Sequence, residues 1–79
     1  MNNTEKYNQS FISALSINGK VLNDNLKYND IPEWDSIGHM TLISALEETF
    51  SINIETDDIV DFSSYNKGKK ILEKYKIKF

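Results

Sequence analysis

Apolar residues recur at steps of three and four after Ser36, and this spacing restricts the fold more than any other feature of the sequence. The residues at these steps are Ile37, Met40, Ile43, Leu46 and Phe50, with Leu42 widening the apolar arc. Such steps place side chains along one face of an α-helix, whereas a half-buried strand would alternate. We therefore predict a helix here, with the side chain of Asp35 or Ser36 capping its first turn.

A similar pattern predicts a helix near the start of the chain. Its apolar face comprises Tyr7, Phe11, Ala14 and Leu15. Thr4 can cap its amino end, and the Asn18-Gly19 pair can supply the left-handed residue that ends such a helix.

Two further helices are predicted towards the end of the chain. Thr56 can cap a short acidic helix over residues 57–62, and Ser63 or Ser64 can cap the last helix. The side chains expected to face inward are Ile59, Val60, Phe62, Tyr65, Ile71, Leu72 and Tyr75. Gly68 lies within the last helix, where glycine should weaken it by up to about 1 kcal/mol relative to alanine.

A long connection separates the first two helices and has no regular period. It runs from Lys20 to Asp35, and Pro32 imposes an extended approach to the next helix. Its apolar residues are Val21, Leu22, Leu26, Tyr28 and Ile31. An irregular segment of about fifteen residues is uncommon in a compact domain unless it packs on the core. The sequence thus predicts one all-α domain over residues 1–79, a small four-helix bundle with a long loop between helices one and two and a short third helix.

Composition excludes several classes of protein. The 79 residues include no cysteine and one histidine, so neither a disulfide framework nor a Cys/His metal site is expected. No apolar run approaches the roughly 20 residues that span a bilayer. The polar start has no signal-peptide pattern, and we expect a cytoplasmic protein that does not bind membranes.

Charge is divided unevenly along the chain. All nine basic residues are lysines, and none lies between Lys27 and Lys67, where nine of the twelve acids fall. An acidic middle repels phosphate backbones, so nucleic acid is not an expected partner, whereas a basic protein would be attracted. A solvated acidic face that only maintains solubility is the alternative interpretation.

Ser36 is open to three readings from the residues alone. It can be a helix cap, since serine is strongly preferred there. It can belong to a hydrolase with Asp35 and His39, but no oxyanion hole or cleft is evident. The chain can also be an unmodified helical adaptor whose acidic middle binds partners.

The stretch DSIGHMTLISALEETFSINI resembles the signature of acyl carrier and peptidyl carrier proteins. The shared features are Asp-Ser before an aliphatic residue, an apolar stripe, Leu-Glu-Glu, an aromatic and then an aliphatic before a short third helix. The order of helices and the long loop match as well, so the resemblance covers nearly the whole chain and implies a carrier-protein bundle.

The resemblance implies a covalent cofactor and a set of partners. In such carriers the serine after the aspartate bears 4'-phosphopantetheine from coenzyme A, which assigns the attachment to Ser36 with Asp35 as the flanking motif residue. The partners implied are a phosphopantetheinyl transferase, an acyl- or aminoacyl-loading enzyme and downstream transferases. The resemblance also implies that this chain is a monomer and is not itself an enzyme. The expected docking residues are Ile37, Met40, Glu47, Glu48, Asp57, Asp58 and Asp61.

Departures from the pattern bear on the pathway and the cargo. Carriers of bacterial fatty acid synthesis usually have acids where this chain has Gly38 and Thr41, so WDSIGHM is closer to carriers of specialised pathways, with the housekeeping fatty acid carrier as the alternative. The resemblance places a cargo channel at His39, Ile59 and Phe62. Their bulk and polarity predict a short or polar cargo, and a fatty chain admitted by rotation of Phe62 is the alternative. His39 itself is expected to be a structural residue with a backbone partner, and Trp34 an anchor for the loop.

Overall fold

Four α-helices form the computed structural model, which describes residues 2–79. They are α1 (Asn3–Leu15), α2 (Ser36–Phe50), α3 (Thr56–Asp61) and α4 (Tyr65–Glu73), and a single 3₁₀ turn occupies Gly19–Val21. Over residues 2–79 there is no β-strand, and one isolated bridge joins Lys27 to Ser64. The predicted all-α class, the four helices and their order are confirmed. No helix within this range is long and apolar enough to cross a membrane.

The ends of α1 differ from the sequence prediction. Asn2, not Thr4, is the cap, because its side chain accepts a hydrogen bond from the amide of Glu5 at 2.8 Å. The helix ends at Ser16, whose φ of 54° lies in the left-handed region, and Gly19 instead begins the 3₁₀ turn without a positive φ. The cap residues were therefore misplaced by two or three positions, as helix ends commonly are.

The other caps agree better with the sequence. Asp35 caps α2 and Ser64 caps α4, each through its side-chain oxygen. Thr56 is the first residue of α3 rather than its cap, and Glu55 before it makes no side-chain cap bond. The helix α3 is thus a short element held mainly by contacts with its neighbours.

Aromatic rings occupy the centre of the core. The largest fully buried side chains are Trp34, Tyr7, Phe11, Phe62, Leu42, Ile43, Leu46 and Leu72. Phe11 meets Trp34 edge to face with 5.3 Å between ring centroids, and Tyr7 meets Phe11 in the same way at 5.0 Å. Edge-to-face pairs at these distances add to the stabilisation from area burial.

The long connection packs on the core, as predicted. Leu26 and Trp34 are buried, and Trp34 is fully enclosed. The amide of Tyr28 donates to the carbonyl of Ser63 at 2.9 Å, and the amide of Tyr65 donates to the carbonyl of Leu26 at 2.9 Å. These bonds fasten the connection to the junction between α3 and α4, and Trp34 anchors its end.

Close packing requires glycine at position 68, which the sequence alone did not indicate. A Cβ atom at this position would lie 2.2 Å from Cζ of Phe62 and 2.3 Å from the hydroxyl of Tyr7. Both rings are buried, and the Tyr7 hydroxyl donates to the carbonyl of Tyr65 at 2.7 Å. Only glycine lets α4 approach the core this closely, so its helix-weakening tendency is offset by packing.

Three apolar side chains that the pattern assigned to buried faces point to solvent instead. Ile37 is 79% exposed, Met40 51% and Val60 75%. Successive steps of three fall short of a full turn by about 60° each, so Ile37 lies about 180° around α2 from Leu46. The predicted apolar stripe therefore turns away from the core towards solvent at the amino end of α2. On α3, Ile59 and the following Phe62 take the inward side, leaving Val60 outside.

Candidate functional site

Ser36 is the first residue of α2 and is exposed. The capping bond comes from its neighbour, since Oδ1 of Asp35 accepts from the amide of Gly38 at 2.8 Å. The carbonyl of Asp35 also accepts from the amide of His39 at 2.7 Å. The reading of Ser36 as the cap is therefore wrong, and its hydroxyl does not serve the first turn of the helix.

The hydroxyl of Ser36 instead meets a tyrosine from the long connection. Oη of Tyr28 lies 3.1 Å from Oγ of Ser36, and either oxygen can donate. The Tyr28 ring packs edge to face against His39, with centroids 5.5 Å apart, and against Trp34 at 6.3 Å. No signal in the sequence pointed to Tyr28, because it lies in a segment without periodicity.

A groove of about 300 Å³ opens beside Ser36, between α2 and α3. Met40 forms its wall on α2, and Ile59 and Val60 form its wall on α3. Tyr28 and Ser63 complete its lining. An exposed serine at one end of a mainly apolar groove is an arrangement that could hold a group attached to that serine.

His39 bridges the two sides of this groove at its floor. Nε1 of Trp34 donates to Nδ1 of His39 at 3.0 Å, and Nε2 of His39 lies 2.9 Å from the carbonyl oxygen of Ile59. Because an indole nitrogen can only donate, Nδ1 must accept, and Nε2 carries the hydrogen that goes to Ile59. The prediction of a structural histidine with a backbone partner is confirmed.

The same bonds separate His39 from the other members of the hydrolase hypothesis. Both of its ring nitrogens are engaged by Trp34 and Ile59, and the Asp35 carboxylate is engaged by the amide of Gly38. Over residues 2–79 no hydrogen bond joins His39 to Ser36 or to the carboxylate of Asp35. The three side chains are close in sequence but do not form the relay that nucleophilic catalysis by serine requires.

The predicted cargo-channel residues form a layer between the groove and the core. Phe62 is buried, and its ring meets that of His39 edge to face with centroids 5.8 Å apart. Phe62 also contacts the rings of Trp34 and Phe11 at 6.5 and 6.1 Å. With Ile59 bonded to His39 in front of it, this layer separates the groove from the aromatic centre.

Most of the predicted docking residues are exposed, and they lie on α2 and α3. The exposed ones are Ile37, Met40, Glu48, Asp57 and Asp61. Glu47 is half-buried, and its Oε2 accepts from the amide of Ile54 at 2.9 Å, which fixes the turn after α2. Glu47 thus has a structural role that the sequence reading did not include.

Asp58 is the one docking candidate whose surroundings contradict the prediction. It is 7% exposed, and its carboxylate accepts from Nζ of Lys74 at 2.5 Å and from the hydroxyl of Tyr75 at 2.6 Å. These bonds, that from Lys74 first, hold the pKa of the Asp58 carboxyl below its usual value despite burial. The hydroxyl of Tyr75 also accepts from the amide of Glu55 at 2.9 Å. Asp58 therefore fastens α3 to the turn after α4 rather than facing a partner.

Close packing requires glycine at position 38. A Cβ atom on Gly38 would lie 2.1 Å from the carbonyl oxygen of Glu33 and 3.1 Å from Cδ2 of Leu15. Any side chain there would force the connection away from the first turn of α2. Gly38 thus permits the close approach of Glu33 and Trp34 that places the floor of the groove.

No group of histidine, aspartate and glutamate side chains within residues 2–79 could hold a metal ion. In comparisons with known proteins, no protein family, no curated protein and no solved structure matches this chain.

Proposed function

We propose that this chain is a carrier protein that holds acyl or aminoacyl intermediates as thioesters on a 4'-phosphopantetheine arm attached to Ser36. The observation that carries the proposal is the division of roles at the start of α2. Asp35 supplies the cap, so the exposed hydroxyl of Ser36 is free to be modified without loss of the helix. The resemblance of the surrounding sequence to carrier proteins supplies the identity of the group.

The surroundings of Ser36 fit a phosphodiester. Asp35 accepts from the amide of Gly38, but the first amides of an α-helix have no acceptor within the helix, and the helix dipole is positive at this end. The remaining amides and the dipole favour a negative group there. In the reaction, Oγ of Ser36 attacks the phosphorus of coenzyme A that carries the pantetheine. The pyrophosphate bond breaks, adenosine 3',5'-bisphosphate leaves, and the hydroxyl proton passes to the transferase or to solvent. The arm, once attached, supplies the thiol that this cysteine-free chain lacks.

The exposed residues of α2 and α3 suit a basic partner with an apolar contact. Ile37 and Met40 protrude from α2. The exposed acids are Glu48 on α2 and Asp57 and Asp61 on α3. Exposed acids raise the rate of encounter with a basic enzyme, while protruding apolar side chains contribute contact area. Transferases and loading enzymes would dock on this surface in turn.

Mass spectrometry of the intact protein tests the proposal. After incubation with coenzyme A, magnesium and a broad-specificity phosphopantetheinyl transferase, the protein should gain the mass of one phosphopantetheinyl group. Ser36→Ala should gain none, and Ser63→Ala, which removes a second hydroxyl from the same groove, should be modified normally. An unmodified wild-type protein would refute the carrier function, and a modified Ser36→Ala would move the attachment elsewhere.

An unmodified helical adaptor is the second candidate, and the exposed Ile37, Met40 and Val60 favour it. These three side chains give a partner an apolar contact without any arm. The experiment above separates the two functions, because an adaptor would not be modified.

We also propose that the cargo is short or polar and that the pathway is specialised rather than housekeeping fatty acid synthesis. The support is the layer of His39, Ile59 and Phe62, in which the histidine is bonded on both sides. A long alkyl chain could enter the core only by breaking these bonds and displacing the buried Phe62 ring.

Thermal unfolding of the loaded forms tests the cargo proposal. An alkyl chain that enters the core would stabilise the fold by about 25 cal/mol for each Å² of apolar surface removed from water. We expect the midpoint to change little from a two-carbon to a long acyl group. A midpoint that rises steadily with chain length would refute a surface-bound cargo and favour the fatty acid alternative.

A further inference from the structure

Tyr28 lies close enough to Ser36 to contact a group attached to the serine hydroxyl. Its hydroxyl lies 3.1 Å from Oγ of Ser36 at the rim of the groove. Over residues 2–79 this is the one side-chain hydrogen bond of the Ser36 hydroxyl.

Tyr28 is held firmly enough to act as a fixed donor. Its amide is bonded to the carbonyl of Ser63 at 2.9 Å, beside the bridge between Lys27 and Ser64. Its ring packs edge to face on Trp34 and His39, both of which are fixed to each other by a hydrogen bond. The hydroxyl therefore points at Ser36 from a framework that does not depend on Ser36, and little further entropy is lost when it binds a ligand.

Esterification changes what Tyr28 can do. The unmodified Ser36 hydroxyl can donate or accept, but Oγ in a phosphodiester has no hydrogen and its phosphorus carries oxygens that only accept. A phenol retains a hydrogen to donate, and a hydrogen bond to a charged oxygen is stronger than one between neutral groups. The partner that Tyr28 has before modification is thus replaced by a better one after it.

We propose that Tyr28 is a phosphate ligand that positions the arm on Ser36 by donating a hydrogen bond to the phosphodiester. This rests on the proposed carrier function. The hydroxyl fixes the first bonds of the arm at the mouth of the groove, so that the arm leaves the protein in a defined direction.

Phosphorus NMR of the modified protein tests the contact. Tyr28→Phe removes the hydroxyl and keeps the ring, and Tyr65→Phe is the matched control because its hydroxyl bonds to Asn8, away from the groove. We expect the phosphodiester resonance to shift in modified Tyr28→Phe and to keep its position in modified Tyr65→Phe. Circular dichroism of both variants establishes that the helices are retained. An unchanged resonance in folded Tyr28→Phe would overturn the proposal.

A phosphoserine installed at position 36 separates this inference from the carrier function, because no transferase is needed. The second ionisation of a phosphoserine has a pKa near 6, and a donor to the doubly charged form lowers it. Following the phosphorus resonance with pH, we expect this pKa to be about 0.3 to 1 unit higher in Tyr28→Phe than with Tyr28 present, which is a two- to tenfold change in the proton affinity. Equal pKa values would overturn the contact, whereas failure of the wild-type chain to accept an arm would refute only the carrier function.

Discussion

Replacement of Gly68 by alanine separates the contribution of packing from that of helix propensity. Propensity alone predicts that Gly68→Ala stabilises α4 by about 1 kcal/mol. The new methyl group would, however, lie 2.2 Å from Cζ of Phe62 and 2.3 Å from Oη of Tyr7. The favourable separation of non-bonded carbon atoms begins at about 3.5 Å, so the first contact is about 1.3 Å too short.

The two neighbours have little room to yield. Phe62 is 1% exposed and Tyr7 is fully buried, and the hydroxyl of Tyr7 is bonded to the carbonyl of Tyr65. Forced insertion of a methylene-sized group into a packed core costs about 1 to 3 kcal/mol, and contact with two fixed rings places this site near the upper value. After the gain of about 1 kcal/mol from propensity, the variant should be about 2 kcal/mol less stable than the wild type.

Urea and thermal unfolding measure this difference. For a protein of this length, a loss of about 2 kcal/mol corresponds to a fall of roughly 8 to 16 °C in the thermal midpoint. Gly19→Ala is the control, since its Cβ would lie 3.4 Å from Cδ1 of Ile12, an ordinary contact. The control should stay within about 0.5 kcal/mol of the wild type. A stabilised Gly68→Ala would refute the packing argument and leave propensity as the deciding effect.

Three further predictions concern the site and its supports. Asp35→Ala should cost about 1 kcal/mol in urea unfolding, whereas Ser36→Ala should cost less than about 0.5 kcal/mol, because only Asp35 caps α2; equal losses would contradict this assignment. The folded-state pKa of Asp58 is lowered, so the stability that its carboxylate contributes is present at neutral pH and is lost as the pH falls below about 4. Asp58→Asn should therefore be less stable than the wild type at pH 7 and should lose less stability in acid. An acid transition as steep as that of the wild type would count against this role. Glu48→Lys should slow modification by the phosphopantetheinyl transferase, chiefly at low ionic strength, while the control Glu73→Lys on α4 should not. A modification rate that is independent of salt in both variants would exclude electrostatic docking through Glu48.

The sequence predicted α1, α2 and α4 well because each buries a face with a helical period. It predicted less about which side chains lie on that face, since steps of three drift around the helix, and Ile37 and Met40 consequently point to solvent. Cap residues were harder still, because Asn2 and Thr4 are both favourable caps and the choice depends on where the chain packs.

The candidate site was predicted only in part. Ser36 and its exposure follow from the motif, and the fixed position of His39 follows from its direction on α2. Tyr28 and the pair of Asp58 with Tyr75 could not be predicted, because they join segments distant in sequence and neither pairing has a local pattern. Asp58 looks like any other acid in an acidic helix until Lys74 and Tyr75 are seen beside it.

The position of Trp34 makes the protein its own optical probe. The chain has one tryptophan, and its indole is fully buried with its nitrogen bonded to the histidine that forms the floor of the groove. Fluorescence excited at the indole band therefore arises from a single site, one side chain away from anything that enters the groove. Occupation of the groove, displacement of His39 or opening of the core would each change the emission of the unlabelled protein, so the proposed attachment and loading could be followed in real time without a dye.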